Sequence, residues 1–321
     1  MNELDEIYDI LFYTYLTGYN IADIYYLLSK GDLTKEADFL DERVTSLKGY
    51  LSNRSSFNKL YNKAKNDAEF AIQYCRYLEI KMLPYTSSQY PKSLYDIKDK
   101  PPLLFIKGKL NRRPLVAVVG TRDISQHAER ITSKIVRSLT HNGVGVVSGL
   151  ALGIDAIAHK NSIDQYGYTI AVMPNSLDTI YPKDNIKLAN EILDGGGALI
   201  SELAFNINRG KKSFVERNRI QAALSEIVIP IEMTIKSGTM HTVNFAKYQN
   251  KKIILLKPSK VLTKLPQYEG IEYLINLNEN NRRDNVMIAQ NMEQFIEIIE
   301  GHFKPDDRSL DTGIQLTLFD L

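Results

Sequence analysis

The sequence predicts an α/β fold, a doubly wound parallel sheet preceded by a small all-helical domain, and three observations carry that reading. Val116–His159 runs strand, helix, strand, helix, with a β-branched run (Val116, Val118, Val119) stopping at Gly120 and a second, Val144–Val147, stopping at Ser148-Gly149. Between them Ile131, Ile135, Val136 and Leu139 share one helical face, which makes the βαβ unit of a parallel sheet. The same alternation continues to Leu256, the pattern of a sheet covered by helices on both faces. Residues 1–80 instead have helical spacing throughout and few glycines.

Taken in order, residues 1–80 are a helical domain with candidate helices Leu4–Leu16, Ile21–Ser29, Ala37–Leu51 and Phe57–Leu78. Its tyrosines (Tyr8, Tyr13, Tyr15, Tyr19, Tyr25, Tyr26) recur at helical spacing, as core residues do, with an interaction surface as the alternative. Residues 81–108 carry Pro84, Pro91, Pro101 and Pro102, which exclude a long helix. They are expected as a connector with one strand, Leu103–Ile106. The α/β domain, 109–275, continues past its first unit with strands Tyr168–Val172, Ala198–Ser201, Ile227–Ile231 and Lys252–Leu256. Helices Gly153–Gln165, Asn185–Leu193, Val215–Leu224 and Thr239–Gln249 separate them, and Glu269–Ile275 closes the domain. Residues 276–303 are expected as a helical extension containing Met292–Ile299, and 304–321 as a flexible tail.

Composition restricts the class. Across 321 residues, 44% apolar and 24% charged content is ordinary for a globular protein, and the net charge of +2 leaves nucleic-acid binding to a local patch. The lone Cys75 permits no intramolecular disulfide and is expected to be an inert helix residue. No signal peptide and no run of membrane-spanning length is visible, so a cytoplasmic protein without membrane contact is expected.

In a parallel sheet, ligands meet the carboxyl ends of the strands, where helix N-termini attract anions. Gly120-Thr121-Arg122 and Ser148-Gly149 stand at two such ends. The spacing is neither G-x-G-x-x-G nor G-x-x-x-x-G-K-[ST], so phosphate is expected and its carrier stays open. Single-strand binding needs cations for phosphates and flat faces for bases. Arg209, Lys211, Lys212, Arg217 and Arg219 crowd around Phe214; the alternative is a core phenylalanine within a solvated basic face. Arg217, Asn218 and Arg219 are consecutive on one helix and cannot all face one ligand, with Arg217 the best placed. Ser237-Gly238-Thr239 opens a helix and either takes a phosphate or simply caps it. Asp155 and His159 share a helical face, compatible with a metal or acid/base pair, but no third ligand is near and structural roles are expected. Glu202 and Glu232 end strands near the crevice, where structural or ligand-orienting roles are expected over general acid/base work.

Several segments together resemble the DNA-processing protein A (DprA/Smf) family. They are YPKSLYDIKDKPPLLFIKG from Tyr90, Val118–Arg122, SGLALGIDAIAH from Ser148, LDTIYP from Leu177, Ser201-Glu202, FVERNRIQAALS from Phe214, and Ser237-Gly238-Thr239. Departures from the family pattern are Leu152, Asn175, Val215 and Met240-His241, and the stretch after Leu256 is too short for the family's frequent winged-helix domain. The resemblance implies an extended Rossmann-like domain after a sterile-alpha-motif-like one. It also implies a homodimer that binds single-stranded DNA and loads a RecA-type recombinase in transformation or recombination, without catalysis or cofactor. The nucleic-acid site it points to is Gly120, Thr121, Arg122, Ser148, Gly149, Lys211, Lys212, Phe214, Arg217, Asn218, Ser237, Gly238 and Thr239. A nucleotide-processing enzyme on a related fold is the alternative, although Lys236–Thr239 lacks the preceding Gly-Gly and following Glu of the nucleotide glycosidases it would resemble. Finally, Gln315, Leu316, Leu318 and Phe319 in QLTLF resemble the peptide by which bacterial replication and repair proteins bind the DNA sliding clamp.

Overall fold

The computed structural model describes residues 2–31, 41–281 and 285–303. The clamp-like motif, Gln315–Phe319, lies outside them.

Three α-helices open the chain: α1 (Glu3–Thr17), α2 (Ile21–Leu28) and α3 (Arg54–Tyr77). Each starts where an asparagine side chain accepts a backbone N–H: Asn2 from Asp5, Asn20 from Asp23 and Asn53 from Ser56. Gly18, at φ +63°, ends α1. The described part of the expected helix Ala37–Leu51 is different: only Thr45–Tyr50 is helical, as a 3-10 turn. The reason is local. The buried Asp23 carboxylate accepts the N–H groups of Thr45 and Ser46 at 3.1 and 2.7 Å and fixes the chain at that point.

The remainder forms one nine-stranded sheet. In chain order its elements are β1 (Lys81–Pro84), β2 (Leu103–Gly108), β3 (Leu115–Val119), α4 (Ala128–His141), β4 (Gly145–Ser148), α5 (Ile154–Asp164), β5 (Thr169–Val172) and α6 (Ile186–Asp194). There follow β6 (Ala198–Ser201), α7 (Lys212–Leu224), β7 (Ile227–Pro230), α8 (Gly238–Tyr248), β8 (Lys252–Leu256), α9 (Glu269–Asn281), β9 (Val286–Ala289) and α10 (Met292–Phe303). The spatial order is β1-β2-β6-β5-β4-β3-β7-β8-β9. Strands β3 to β9 pair in parallel, as β3 does with β4 (Val116 opposite Val146) and β7 (Val118 opposite Ile229). Only the β1–β2 and β2–β6 pairings are antiparallel.

Two expectations change here. Residues 81–108 are not a bare connector, because β1 and β2 form one edge of the sheet. Within 276–303, β9 adds the opposite edge strand, so that stretch is not purely helical. These three strands are four to six residues long, and β1 ends in Pro84, so none shows a clear alternation of apolar and polar residues.

Helices α4, α5 and α10 cover one face through Ile135, Leu139, Ile154 and Phe295, and α7, α8 and α9 cover the other through Ile220, Val243 and Ile271. The first helices continue the sheet's core rather than closing on their own. Leu11, Phe12, Phe57 and Ile72 join Phe105, Met173, Leu199 and Phe205 in one apolar cluster. Fully burying side chains of this size stabilises by roughly 1.5–3 kcal/mol each. Tyr13, Tyr15 and Tyr19 are buried, in line with the core reading, and Tyr15 donates to the Phe205 carbonyl at 3.0 Å. Cys75 is buried, and burial pushes its thiol up to about 12.

Candidate nucleic-acid interface

The sheet reverses its winding between β3 and β7: β4, β5 and β6 lie to one side of β3, and β7, β8 and β9 to the other. A cleft opens at the carboxyl ends of strands at such a switch point. Here it has a volume of about 410 Å³. Its walls are the turn after β3 (Gly120, Thr121, Arg122, Asp123), the start of α5 (Ala151, Asp155), α7 (Phe214, Arg217, Asn218, Gln221) and the start of α8 (Ser237, Gly238, Thr239). A smaller hollow of about 60 Å³ shares Arg122, Ala151, Phe214 and Arg217 and adds Gly149, Leu152 and Tyr181.

Glycine makes the turns close enough to build this edge. Gly153 sits at φ +79°, and a Cβ there would press on the Thr121 carbonyl. A Cβ on Gly149 would overlap the Arg217 guanidinium. That guanidinium is the cleft's internal brace. Arg217 is 6% exposed and donates through Nη1 to the carbonyls of Gly149 (2.8 Å) and Val172 at the ends of β4 and β5, and through Nε to Asn218 (3.2 Å). Burial lowers its pKa to about 10, with Asp155 opposing the shift and Arg122 adding to it. Burial likewise raises the Asp155 carboxyl, which Arg217 pulls back down, and Asp155 accepts the Gly149 N–H at 3.1 Å.

The expected site residues fall into four groups. Gly120, Thr121, Arg122, Phe214, Arg217, Asn218, Ser237, Gly238 and Thr239 line the cleft together. Gly149 lines only the smaller hollow, and its N–H and C=O are both engaged internally. Ser148 is fully buried and donates to the Val118 carbonyl at 2.7 Å, so its hydroxyl braces the floor and is not turned to the cleft. Lys211 and Lys212 line neither hollow; they stand exposed at the start of α7, where Lys212 pairs with Glu216 at 3.4 Å.

The basic cluster read from residues 209–219 is thus divided by the fold. Arg209 turns to the first helices, donating to the Tyr19 carbonyl at 2.6 Å and pairing with Glu216 at 3.1 Å. Arg219 is 2% exposed and grips both Glu202 oxygens at 2.7 and 2.6 Å. It also donates to the Asp99 carbonyl at 2.8 Å. Burial opposes its charge, but Glu202, Tyr19 and Asp99 together raise its pKa. Among the described residues, no ion pair holds Arg122 or Lys211.

Phe214 is half-buried, and Tyr181, 48% exposed, meets it edge-on with ring centroids 5.4 Å apart. Tyr181 and Gln221 were not among the expected site residues, although they lie in the quoted LDTIYP and FVERNRIQAALS segments. The acidic candidates have internal partners. Glu232 is fully buried and accepts from the Ser125 N–H at 2.9 Å, and Glu202 accepts from Tyr19 Oη at 2.5 Å. His159 Nδ1 lies 2.7 Å from Thr169 Oγ1, and burial lowers its pKa to about 3. Among the described residues no group of three or more His, Cys, Asp or Glu is placed to hold a metal, and no helix is long and apolar enough to cross a membrane.

The chain is similar to several known proteins. Protein Smf of Escherichia coli K12 is 33% identical over 229 residues, 70% of this chain and 59% of that protein. Protein Smf of Synechocystis is 36% identical over 208 residues, 63% of this chain and 50% of that protein. The chain therefore spans between half and three-fifths of the length of these two relatives. DNA processing protein DprA of Streptococcus pneumoniae is 34% identical, covering 65% of this chain and 72% of that protein. An X-ray structure of DprA from the same species superposes with a TM-score of 0.71 at 26% identity, over 92% of this chain and 98% of that one. A structure of DNA processing protein A from Helicobacter pylori, reported for its single-stranded DNA binding mode, gives 0.60 at 30% identity, over 70% and 97%. A protein-family model described as DNA recombination-mediator protein A matches residues 81–291, from the first strand of the sheet to the last, and the chain belongs to that family.

Proposed function

We propose that the chain binds single-stranded DNA across the switch-point cleft, protecting exposed or incoming strands, and promotes the loading of a RecA-type recombinase in DNA uptake or recombination. The observation that carries the reading is the cleft's mouth. An aromatic pair, Phe214 and Tyr181, is open to solvent beside a cation, Arg122, that no described ion pair holds. Bases stack on such faces and phosphates meet such cations. Lys211, one helical turn before Phe214, extends the positive charge along the strand's path, and the N-terminus of α8 offers backbone N–H groups to a phosphate.

The role is one of binding rather than catalysis: His159, Glu202 and Glu232 are held in internal hydrogen bonds and line neither hollow, and Asp155, on the cleft wall, is engaged by the Gly149 N–H. The protein acts as a homodimer, in keeping with the family resemblance, and its tail tethers it to the DNA sliding clamp through Gln315, Leu316, Leu318 and Phe319. The deciding measurement is fluorescence anisotropy of a labelled dT oligomer at two salt concentrations, with wild type and the Arg122→Ala/Lys211→Ala double variant. Salt-sensitive binding that collapses in the double variant is expected. An oligomer that stays unbound at low salt would remove the reading.

A further inference from the structure

Behind the aromatic mouth the cleft runs inward to a polar end that a strand lying across Phe214 does not fill. Its floor is closed by Val119, Gln221 and Thr242, which are 3%, 1% and 2% exposed. The Gln221 side-chain amide Nε2 is buried there with no hydrogen-bond partner. A buried donor left unmade is costly, and few persist in folded proteins without a reason.

The facing wall repeats the pattern. Ser237 occupies the N-cap of α8 with cap dihedrals, φ −76° and ψ 159°, yet its hydroxyl caps nothing and has no partner. An N-cap serine ordinarily accepts the N–H of the second or third helical residue. Here that position is left incomplete above an eleven-residue helix whose positive end faces the cleft. Asn218 fixes the geometry by donating from Nδ2 to the Gly238 carbonyl at 3.2 Å, which holds α7 against the start of α8. Arg122 and the exposed Asp123 flank the entrance.

We propose that this inner end is a seat for a phosphomonoester, the terminal phosphate of a nucleotide, whose oxygens complete the cap of α8 and satisfy Gln221. The proposal deepens, and rests on, the reading of the cleft as a DNA-strand site. The buried floor of Val119, Gln221 and Thr242 gives a chain no second exit, so a phosphate with a single ester linkage fits it with the rest of the nucleotide leaving by the mouth. A terminal phosphate also presents three free oxygens, enough to meet Ser237 Oγ, Gln221 Nε2 and a backbone N–H of α8 at once. The remainder of a nucleoside monophosphate then reaches outward to Phe214, within the size range of small-molecule sites. The phosphate has two sources, a free nucleotide or the end of a DNA strand.

The test uses the full chain and the variants Ser237→Ala and Gln221→Met, the latter keeping side-chain length without the amide. Calorimetry with dTMP, thymidine and inorganic phosphate is run beside anisotropy with dT oligomers bearing a 5′ phosphate, a 3′ phosphate or neither. Wild type is expected to prefer dTMP over thymidine, or a phosphorylated over an unphosphorylated oligomer, by about tenfold or more, and each variant to lose that preference, as removal of a hydrogen bond to a charged group requires. A preference for dTMP alone assigns the seat to free nucleotide, and a preference for one phosphorylated oligomer assigns it to that strand end. The melting temperature of each variant, read beside that of wild type, separates loss of the preference from loss of the fold. Indifference to the terminal phosphate in every pair, or a preference that survives in both folded variants, overturns the proposal. Loss of unphosphorylated-oligomer binding in wild type, with the dTMP preference intact, would instead sink the DNA reading and leave the seat standing.

Discussion

Two arginines two residues apart on α7 face inward, while the cations at the cleft's mouth face water, and the contrast separates architecture from binding. Arg217 holds strand ends together by donating to main-chain carbonyls, and Arg219 ties α7 to Glu202 and Asp99. Arg122 and Lys211 do neither. Charge near an aromatic residue in sequence is therefore a poor count of charge available to a ligand. Of the five cations around Phe214, three are drawn into the fold and a fourth, Lys212, leans on Glu216.

The sharpest way to break this contrast is Arg219→Ala. Leaving Glu202 buried without its cation should destabilise the fold by about 3–5 kcal/mol, read from chemical denaturation, while the folded fraction keeps its oligonucleotide affinity. A comparable loss of affinity per folded molecule would show that Arg219 belongs to the site.

Next in size is a pH effect at the brace. His159 has a folded pKa near 3, lowered first by burial and then by Arg217, against 6.5 when unfolded. Its folded pKa is depressed, so its contribution is full above pH 6.5 and is lost as pH falls toward 3. Between those limits stability should drop by up to about 1.4 kcal/mol per pH unit. His159→Gln should flatten that part of the acid-unfolding curve, and an unchanged slope would acquit the histidine.

At the mouth, Phe214→Ala should weaken dT-oligomer binding by about 1–3 kcal/mol with little change in melting temperature. The smallest effect is expected from Lys211→Ala: a log–log salt slope shallower by about 0.7, the share of one neutralised phosphate on a single strand, at unchanged stability. If Arg217→Lys gave the same modest salt effect and no loss of stability, the inward and outward classes would merge.

The central part of the fold was legible because β3–α4–β4–α5 has strong periodicity and turns marked by glycine. The edges were not: β1 and β9 are four-residue strands whose pairing partners are distant in sequence, and Thr45–Tyr50 owes its 3-10 turn to Asp23. At the site, Gly120–Arg122, Phe214 and Ser237–Thr239 were found because each ends a strand or opens a helix. Ser148 and Gly149 lay at the right turn, but sequence does not say which hydrogen bonds a turn has already made. Tyr181, in the loop between β5 and α6, and Gln221, on α7, lie in segments that carry the family resemblance, but only tertiary packing sets them at the cleft.

The grip of Arg219 on Glu202, which also accepts from Tyr19, has a mechanical consequence. Tyr19 follows α1, Asp99 lies between β1 and β2, Glu202 follows β6, and Arg219 shares α7 with Phe214 and Lys211. One rigid lever thus runs from the first helices to the stacking face. A partner that gripped those helices and tilted α7 would change the hold on a DNA strand, and by reciprocity a bound strand would change the hold on that partner by the same factor.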